Sequence, residues 1–308
     1  MKFGFGVDLG GTTVKLAYFD EAGTMLDKWE IPTNTAENGK YILPDIAAAV
    51  IKYMEEKKIS REDIIGVGIG VPGAVNNKGI VAGCDNLGWG HFSVKDALEP
   101  LLDMPVVAGN DATVAALGEC WKGGGQGYKS VVLVTLGTGV GGGIIIDGKP
   151  VHGFSGAAGE IGHIIIHPDG LTCPCGQRGC FEQYASTLAL MHQTEQAIVA
   201  HPDSLLARLA QTEGVSYPLP FLATEQGCPV AAALIDRFCR DLAIGIDSLV
   251  HVLDPRHVVL AGAITSQGDL LLDPLLSHLH TDIPVTLAAH YEHAGVIGAA
   301  RLFKGKDV

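Results

Sequence analysis

The chain has 308 residues, more than one hydrophobic core usually organises, which predicts two lobes with a cleft between them. Its 34 acidic against 21 basic side chains leave a formal charge of -13, which repels nucleic acid and anionic membrane surfaces and argues against both as partners. Apolar residues make up 47% of it, yet no run approaches the roughly twenty uninterrupted apolar positions of a spanning helix, and no export signal opens the chain, so a cytoplasmic protein is expected.

Phe3 to Asp8, Thr13 to Phe19 and Met25 to Ile31 are β-rich runs separated by Gly-Gly-Thr and by Asp20-Glu-Ala-Gly23, which reads as a three-stranded meander. In the first turn Gly10 and Gly11 let backbone N–H groups approach an anion, and Thr12 and Thr13 add hydroxyl donors. Asp8, just ahead of it, suits a hydrated magnesium ion, with Lys15 adding positive charge nearby. An ordinary hairpin turn has the same composition, so this turn alone does not decide between the two.

A helical pattern follows from Ile42 to Lys57, then an apolar strand from Ile64 to Ile69 that ends in Gly70-Val-Pro-Gly73. Val106 to Ala108 leads into a helix from Asn110 to Trp121, and strands alternating with helices imply an α/β sheet. Asn110-Asp111 opens that helix as a cap, and a carboxylate there has a second use. Directed into the cleft, Asp111 takes the proton of a sugar hydroxyl as that oxygen attacks a γ-phosphorus, while Asn110 fixes a neighbouring hydroxyl.

The pattern then begins again, because Ser130 to Leu136 is a strand leading through a Gly/Thr turn to a second strand, Gly143 to Ile146. The turn holds five glycines in seven positions, 137 to 143, a cost to stability that makes sense where backbone must pass close to a polyphosphate. It is neither a P-loop nor a dinucleotide turn, since no Gly-Lys-Ser/Thr follows and the helix-opening spacing is missing. Asp8-Leu-Gly-Gly-Thr12 and Leu136-Gly-Thr-Gly139 occupy corresponding places and suggest two related halves.

His163, Cys173, Cys175 and Cys180 form H-x9-C-x-C-x4-C, four ligands of the number and type of a closed, structural zinc site, with Pro174, Gly176 and Gly179 supplying the turns. Glu160 and Glu182 flank this loop, and two carboxylates brought near one place accept hydrogen bonds from sugar hydroxyls. Cys84, Cys120, Cys228 and Cys239 read as buried small hydrophobes, and His91, His152 and His167 as surface or loop residues. Pro229 to Leu253 reads as a core helix, His257 to Ala261 as a buried strand ending at Gly262, and Ala294 to Phe303 as a last helix.

Asp8-Leu-Gly-Gly-Thr12, Asn110-Asp111, Leu136-Gly-Thr-Gly139, Glu160-Ile-Gly-His163 and Cys173-Pro-Cys-Gly-Gln-Arg-Gly-Cys180-Phe-Glu182 together resemble the ROK family (repressor, open reading frame, kinase) over essentially the whole chain. Cys84-Asp-Asn-Leu-Gly-Trp89 and Gly156-Ala-Ala-Gly-Glu-Ile-Gly-His163 bring the resemblance nearest to bacterial ROK glucokinases. It implies an actin-like ATPase fold, ribonuclease-H-like, with a smaller lobe over 1–115, a larger one over 116–290 carrying the zinc loop, and a C-terminal helix within 291–308 returning to the first.

The resemblance further implies Asp111 as general base, with Gly73, Asn86, Asn110, Glu160, His163 and Glu182 around the sugar, so that His163 serves both sugar and zinc. ATP phosphates would lie on Asp8, Gly10, Gly11, Thr12, Thr13 and Lys15 with magnesium, and on Gly137, Thr138 and Gly139, with Gly262 bordering the adenosine. The product expected is glucose 6-phosphate, from a homodimer; fructose, mannose, allose or an N-acetylated amino sugar are alternative substrates, and a non-catalytic sugar sensor is the other reading. Two positions depart from the family pattern, Ala263 where a second glycine is expected after Gly262, and Thr187 where a glycine is expected.

Overall fold

The computed structural model describes residues 2–76, 78–289 and 292–303. Contacts divide them into two compact units, the first made of the chain up to Leu133, Gly143–Gly159 and everything from Ala289 on, the second of Val134–Gly142 and Glu160–Ala288.

In the first unit, strands β1 (Phe3–Leu9), β2 (Thr13–Asp20) and β3 (Met25–Pro32) form the expected antiparallel meander. After a single turn, α1 (Ala36–Gly39), and helix α2 (Ile42–Lys57), strand β4 (Ile64–Val71) pairs parallel with β1. The short strands β5 (Ile80–Val81) and β6 (Phe92–Ser93) pair with each other, helix α3 (Val94–Leu102) is capped by the Ser93 hydroxyl, and β7 (Val106–Asn110) pairs parallel with β4. The sheet order is therefore β3-β2-β1-β4-β7. Phe5, Val7, Ile69 and Val71 are buried on the strands, and Ile42, Ile46 and Val50 form the inward face of α2 against them. Such near-continuous apolar strands are what a sheet covered on both faces requires.

Helix α4 (Asp111–Lys122) follows β7, and strands β8 (Val131–Leu136), β9 (Val140–Ile146) and β10 (Lys149–Pro150) start the second sheet. The division between units falls within β8 and β9. The second unit continues through a single turn α5 (Glu182–Ala185), then α6 (Thr187–Ala200), α7 (Leu205–Glu213), α8 (Leu219–Glu225) and the long α9 (Pro229–Leu253). Strand β11 (His257–Ala261), helix α10 (Asp269–His278) and strand β12 (Val285–Leu287) complete it.

The second sheet runs β10-β9-β8-β11-β12, which repeats the first: in each the third, second and first strands of a meander are followed by two later strands. The repeated glycine turns of the sequence thus lie at the same topological place, between the first two strands of each sheet.

The last helix, α11 (Ala294–Arg301), belongs to the first unit and packs on α4, β1 and β4. It does so at backbone distance. A Cβ on Gly68 of β4 would collide with the Ala299 carbonyl, and one on Gly298 would collide with the Val114 carbonyl of α4.

Candidate active site

In the first unit the turn between β1 and β2 is fastened on both sides. Gly10 N–H donates to the Thr13 carbonyl at 3.0 Å, the Gly10 carbonyl accepts from Thr33 Oγ1 at 2.7 Å, and Thr33 N–H donates to the Thr12 carbonyl at 2.9 Å. Gly11 and Thr12 stay exposed at the tip, and nothing lies within 4 Å of where a Gly11 side chain would start. That is the open backbone an anion needs.

Asp8 pairs with Lys15 across the two strands, and burial pushes its carboxyl above the usual carboxylate range against the pull of that lysine. Gly295 of α11 lies directly against the Asp8 carboxylate, where any side chain would collide with it. The Lys15 ammonium donates to the Glu292 carbonyl at 3.1 Å, so the segment ahead of α11 holds it.

At the same end of the sheet, after the edge strand β7, Asn110 caps α4 by accepting from Thr113 N–H at 2.9 Å, and its amide donates to the Gly73 carbonyl at 3.1 Å and to Asp111 Oδ1 at 2.9 Å. Asp111 Oδ1 also accepts from Ala112 N–H at 2.8 Å, which fixes the carboxylate at the positive end of a 12-residue helix. Gly73 takes a positive φ of 91°, which turns the chain after β4 and presents its carbonyl to Asn110.

Asn86 lies exposed in a loop that Cys84 and Trp89 close by exchanging two backbone hydrogen bonds, at 2.9 and 3.0 Å. The Trp89 indole N–H then donates to the Gly39 carbonyl at 3.2 Å, bracing the loop on a turn in which Glu37, Asn38 and Gly39 all have positive φ. Gly73, Asn86, Asn110 and Asp111 thus belong to one unit and, for three of them, to one hydrogen-bonded chain.

The second unit carries the other glycine turn. Thr187 donates to the Gly137 carbonyl with both its backbone N–H, at 2.8 Å, and its hydroxyl, at 2.6 Å, while Gly137 N–H donates to the Gly139 carbonyl at 3.0 Å. Thr138 is exposed at the tip of the turn, and Gly139 lies against the Glu182 carboxylate, so the turn and this glutamate are neighbours. Gly262, at a φ of 112°, closes on the Leu136 backbone and accepts from Thr265 N–H and Oγ1 at 3.0 and 2.8 Å.

The loop with the His and Cys residues gathers its four donors within 4.8 Å of one another. Cys173 Sγ is 3.7 Å from His163 Nδ1, and Cys175 Sγ is 3.6 Å from Cys180 Sγ. Donors arranged tetrahedrally around zinc at about 2.0–2.3 Å stand about 3.3–3.8 Å apart, so both pairs fit such an ion. All seven cysteines are free thiols, and Cys173 and Cys180 are buried. Burial pushes the Cys173 thiol up to about 12, whereas the Gln177 backbone N–H draws Cys175 below its ordinary value.

Glu182 Oε1 stands 3.8 Å from His163 Nδ1 and 3.2 Å from Cys173 Sγ, and the Gln183 amide donates to it at 3.3 Å. The sequence order Cys180-Phe-Glu182 therefore places this carboxylate on the rim of the metal loop. Glu160 opens the single 3-10 turn Ile161–His163, its carbonyl accepting from His163 N–H at 3.2 Å, so it and His163 share one turn.

Sequence reasoning did not find Thr33, Gly295 or Gln183, whose sequence neighbourhoods carry no signal, nor the brace from Trp89 to Gly39. It noted Thr187 as a departure without its use. It also read His167 as a plain loop residue, whereas His167 Nε2 is bonded to the Asp241 carboxylate at 2.7 Å.

The ROK family model matches residues 4–306. The glucokinase of Halalkalibacterium halodurans is 39% identical, covering 98% of this chain and 95% of that protein. That of Streptomyces coelicolor is 37% identical, covering 100% and 99%. Among solved structures, a ROK family glucokinase from Streptomyces griseus in complex with glucose and AMPPNP superimposes with a TM-score of 0.80 at 36% identity, over 98% of this chain and 99% of that one. Its fold is that of the actin-like ATPases, and the two repeated sheets described above are the same architecture. By family model, by full-length similarity and by fold, the chain belongs to the ROK family.

Proposed function

We propose that the chain is an ATP-dependent glucokinase that transfers the γ-phosphoryl group to the 6-hydroxyl of glucose, giving glucose 6-phosphate and ADP. One observation carries the reading: the carboxylate of Asp111 is fixed at the start of α4 by Ala112 N–H and by the amide of Asn110, itself anchored on Gly73. A base held so that it cannot swing away is what proton removal from an alcohol requires.

In this reading Asp111 accepts the 6-hydroxyl proton while the oxygen forms its bond to the γ-phosphorus and the bond to the β-phosphate oxygen breaks. Asn86, Asn110 and the Gly73 carbonyl, with Glu160, His163 and Glu182 from the second unit, hold the other hydroxyls. Glutamates suit this because one carboxylate accepts from two vicinal hydroxyls. The backbone of Gly10 and Gly11, with Thr12, Thr13 and Lys15, and the turn Gly137-Thr138-Gly139 hold the phosphates, and Gly262 lies beside the adenosine.

Magnesium would neutralise charge on the phosphates, and Asp8 would take its hydration shell. His163, Cys173, Cys175 and Cys180 would hold a zinc ion, which would fix the loop that carries Glu182 and would serve structure rather than chemistry. A two-lobed cytoplasmic homodimer belongs to the same reading on family resemblance. Among the described residues no helix is long and apolar enough to cross a membrane.

The test is initial ADP release with ATP and magnesium across glucose, mannose, fructose, allose and N-acetylated amino sugars. Glucose is expected to give the largest kcat/KM. Equal or faster turnover of another hexose would move the substrate assignment, and no release with any of them would make the chain a sensor.

A further inference from the structure

The second unit contains a groove of about 930 Å³ walled by the metal loop and by α6 and α9. Its charge is unlike the rest of the unit. Residues 134–142 and 160–288 hold 14 Asp and Glu but no Lys and only five Arg, at positions 178, 208, 237, 240 and 256. Three of those five, Arg178, Arg237 and Arg240, line this one groove.

Arg240 is paired with Asp236 at 2.8 Å, whereas the guanidinium groups of Arg178 and Arg237 have no partner among the described residues. Two carboxylates also line the groove, Asp169 and Asp241, and the second is bonded to His167. With Asp236 counted beside its partner Arg240, three guanidinium groups meet three carboxylates, so the groove is neutral within an acidic unit and Arg178 and Arg237 are its cations without a carboxylate partner.

The floor is built rather than loose. The His167 ring lies edge-on to Tyr184 at 4.5 Å, the Tyr184 hydroxyl accepts from Leu171 N–H at 2.6 Å, and the Gln193 amide donates to the Tyr184 carbonyl at 3.0 Å. Gln193 Oε1 is buried with no partner among the described residues. A planar guanidinium grips a phosphate through parallel N–H bonds, and an amide meets hydroxyl groups as donor or acceptor.

We propose that this groove is a second ligand site, separate from the phosphoryl-transfer site, that takes a phosphorylated sugar: Arg178 and Arg237 hold the phosphate, and the exposed Gln196 meets the hydroxyls. Arg178 stands between Cys175 and Cys180, and Tyr184 two residues beyond Glu182, so the occupant bears on the loop that carries the proposed sugar ligands. Binding there changes the affinity for glucose, and this second effect rests on the proposed function whereas the binding itself does not.

The experiment is calorimetric titration of the zinc-loaded full chain with glucose 6-phosphate, inorganic phosphate and glucose, in saturating glucose and a non-hydrolysable ATP analogue so that the reaction site is filled. Glucose 6-phosphate is expected to bind once per chain, weakening with salt as charge-based recognition does, with inorganic phosphate weaker and further glucose silent. Arg237→Gln and Arg178→Gln are each expected to weaken it about tenfold, the loss of one charge-assisted contact, with turnover in the absence of the ligand kept within about twofold.

Identical titrations of wild type and both variants overturn the site. Inorganic phosphate binding as tightly as glucose 6-phosphate overturns the sugar half of the assignment. A change in sedimentation caused by Arg237→Gln overturns it too, because the arginines would then serve contacts between copies. Absent glucose turnover in wild type with the binding intact would sink the proposed function alone.

Discussion

Asn110 and Asp111, adjacent in sequence, hold one another: the amide of the first donates to Oδ1 of the second at 2.9 Å and simultaneously to the Gly73 carbonyl at 3.1 Å. Cap and base are one unit, so damage to either is expected to reach the other. Asp111→Ala should lower kcat by about a thousandfold or more with glucose binding still measurable by calorimetry. Asn110→Ala should cost about 1 kcal/mol of stability through the lost cap and also lower kcat, because the carboxylate then loses the side-chain amide that steadies it beside the Ala112 N–H. Unchanged kcat in Asp111→Ala would refute its role.

The donor set around His163 predicts about one zinc per chain by elemental analysis. Chelation should lower the melting temperature and raise the glucose KM, since freeing the loop releases Glu182, which sits 3.2 Å from Cys173 Sγ. Cys175→Ser should do the same without a chelator. Active enzyme free of zinc would remove this account.

Asp8 predicts a trade of stability against activity. Its folded-state carboxyl is raised by burial, so the folded chain binds that proton more tightly than the unfolded chain. The associated stability is fully present below the ordinary value of 3.8 and is lost as pH rises through the folded value. Asp8→Asn should therefore melt higher than wild type at pH 7, with the gap closing in acid, while kcat/KM for magnesium-ATP falls. A lower melting temperature at pH 7 would contradict it.

Trp89 braces the loop bearing Asn86 through a single N–H, and its ring also meets Phe92 edge-on at 5.1 Å. Trp89→Phe keeps a ring there and deletes the donor. The expected cost is about 1 kcal/mol in stability, with a several-fold rise in glucose KM and little change in kcat. Equal effects on kcat and KM would point to general damage instead.

Gly298 and the Val114 carbonyl meet where α11 crosses α4. Gly298→Ala has nowhere to place its methyl group, and overpacking of this kind typically costs about 1–3 kcal/mol. Denaturant unfolding is the measurement, and a stabilised variant, as helix propensity alone would give, would show that the helices separate easily.

The α/β class was legible because strands β1, β2, β4, β8 and β11 are largely apolar runs bounded by glycine and polar turns, a signal that survives without any knowledge of partners. The metal quartet was legible for a similar reason: its three cysteines lie within eight residues, 173 to 180, so local chain geometry largely determines their meeting. Asn110-Asp111 announced itself as a helix opening. The Gly295 contact with Asp8, 287 residues away, could not be read, since a glycine in a small-residue helix looks the same wherever it packs. Thr187 was legible only as an oddity, because its two bonds to Gly137 depend on α6 starting beside the turn. Helices α7, α8 and α10 have short amphipathic patterns that blend into their loops.

Gene order and spatial order disagree in the first unit, since α11 packs on β1 although nearly three hundred residues are synthesised between them. During translation the opening strands emerge long before the helix that covers them, so their bare apolar face must be shielded until the ribosome has nearly finished. A stop codon that removes only the final helix would strip that cover permanently, and the resulting truncation should aggregate rather than survive as a soluble fragment.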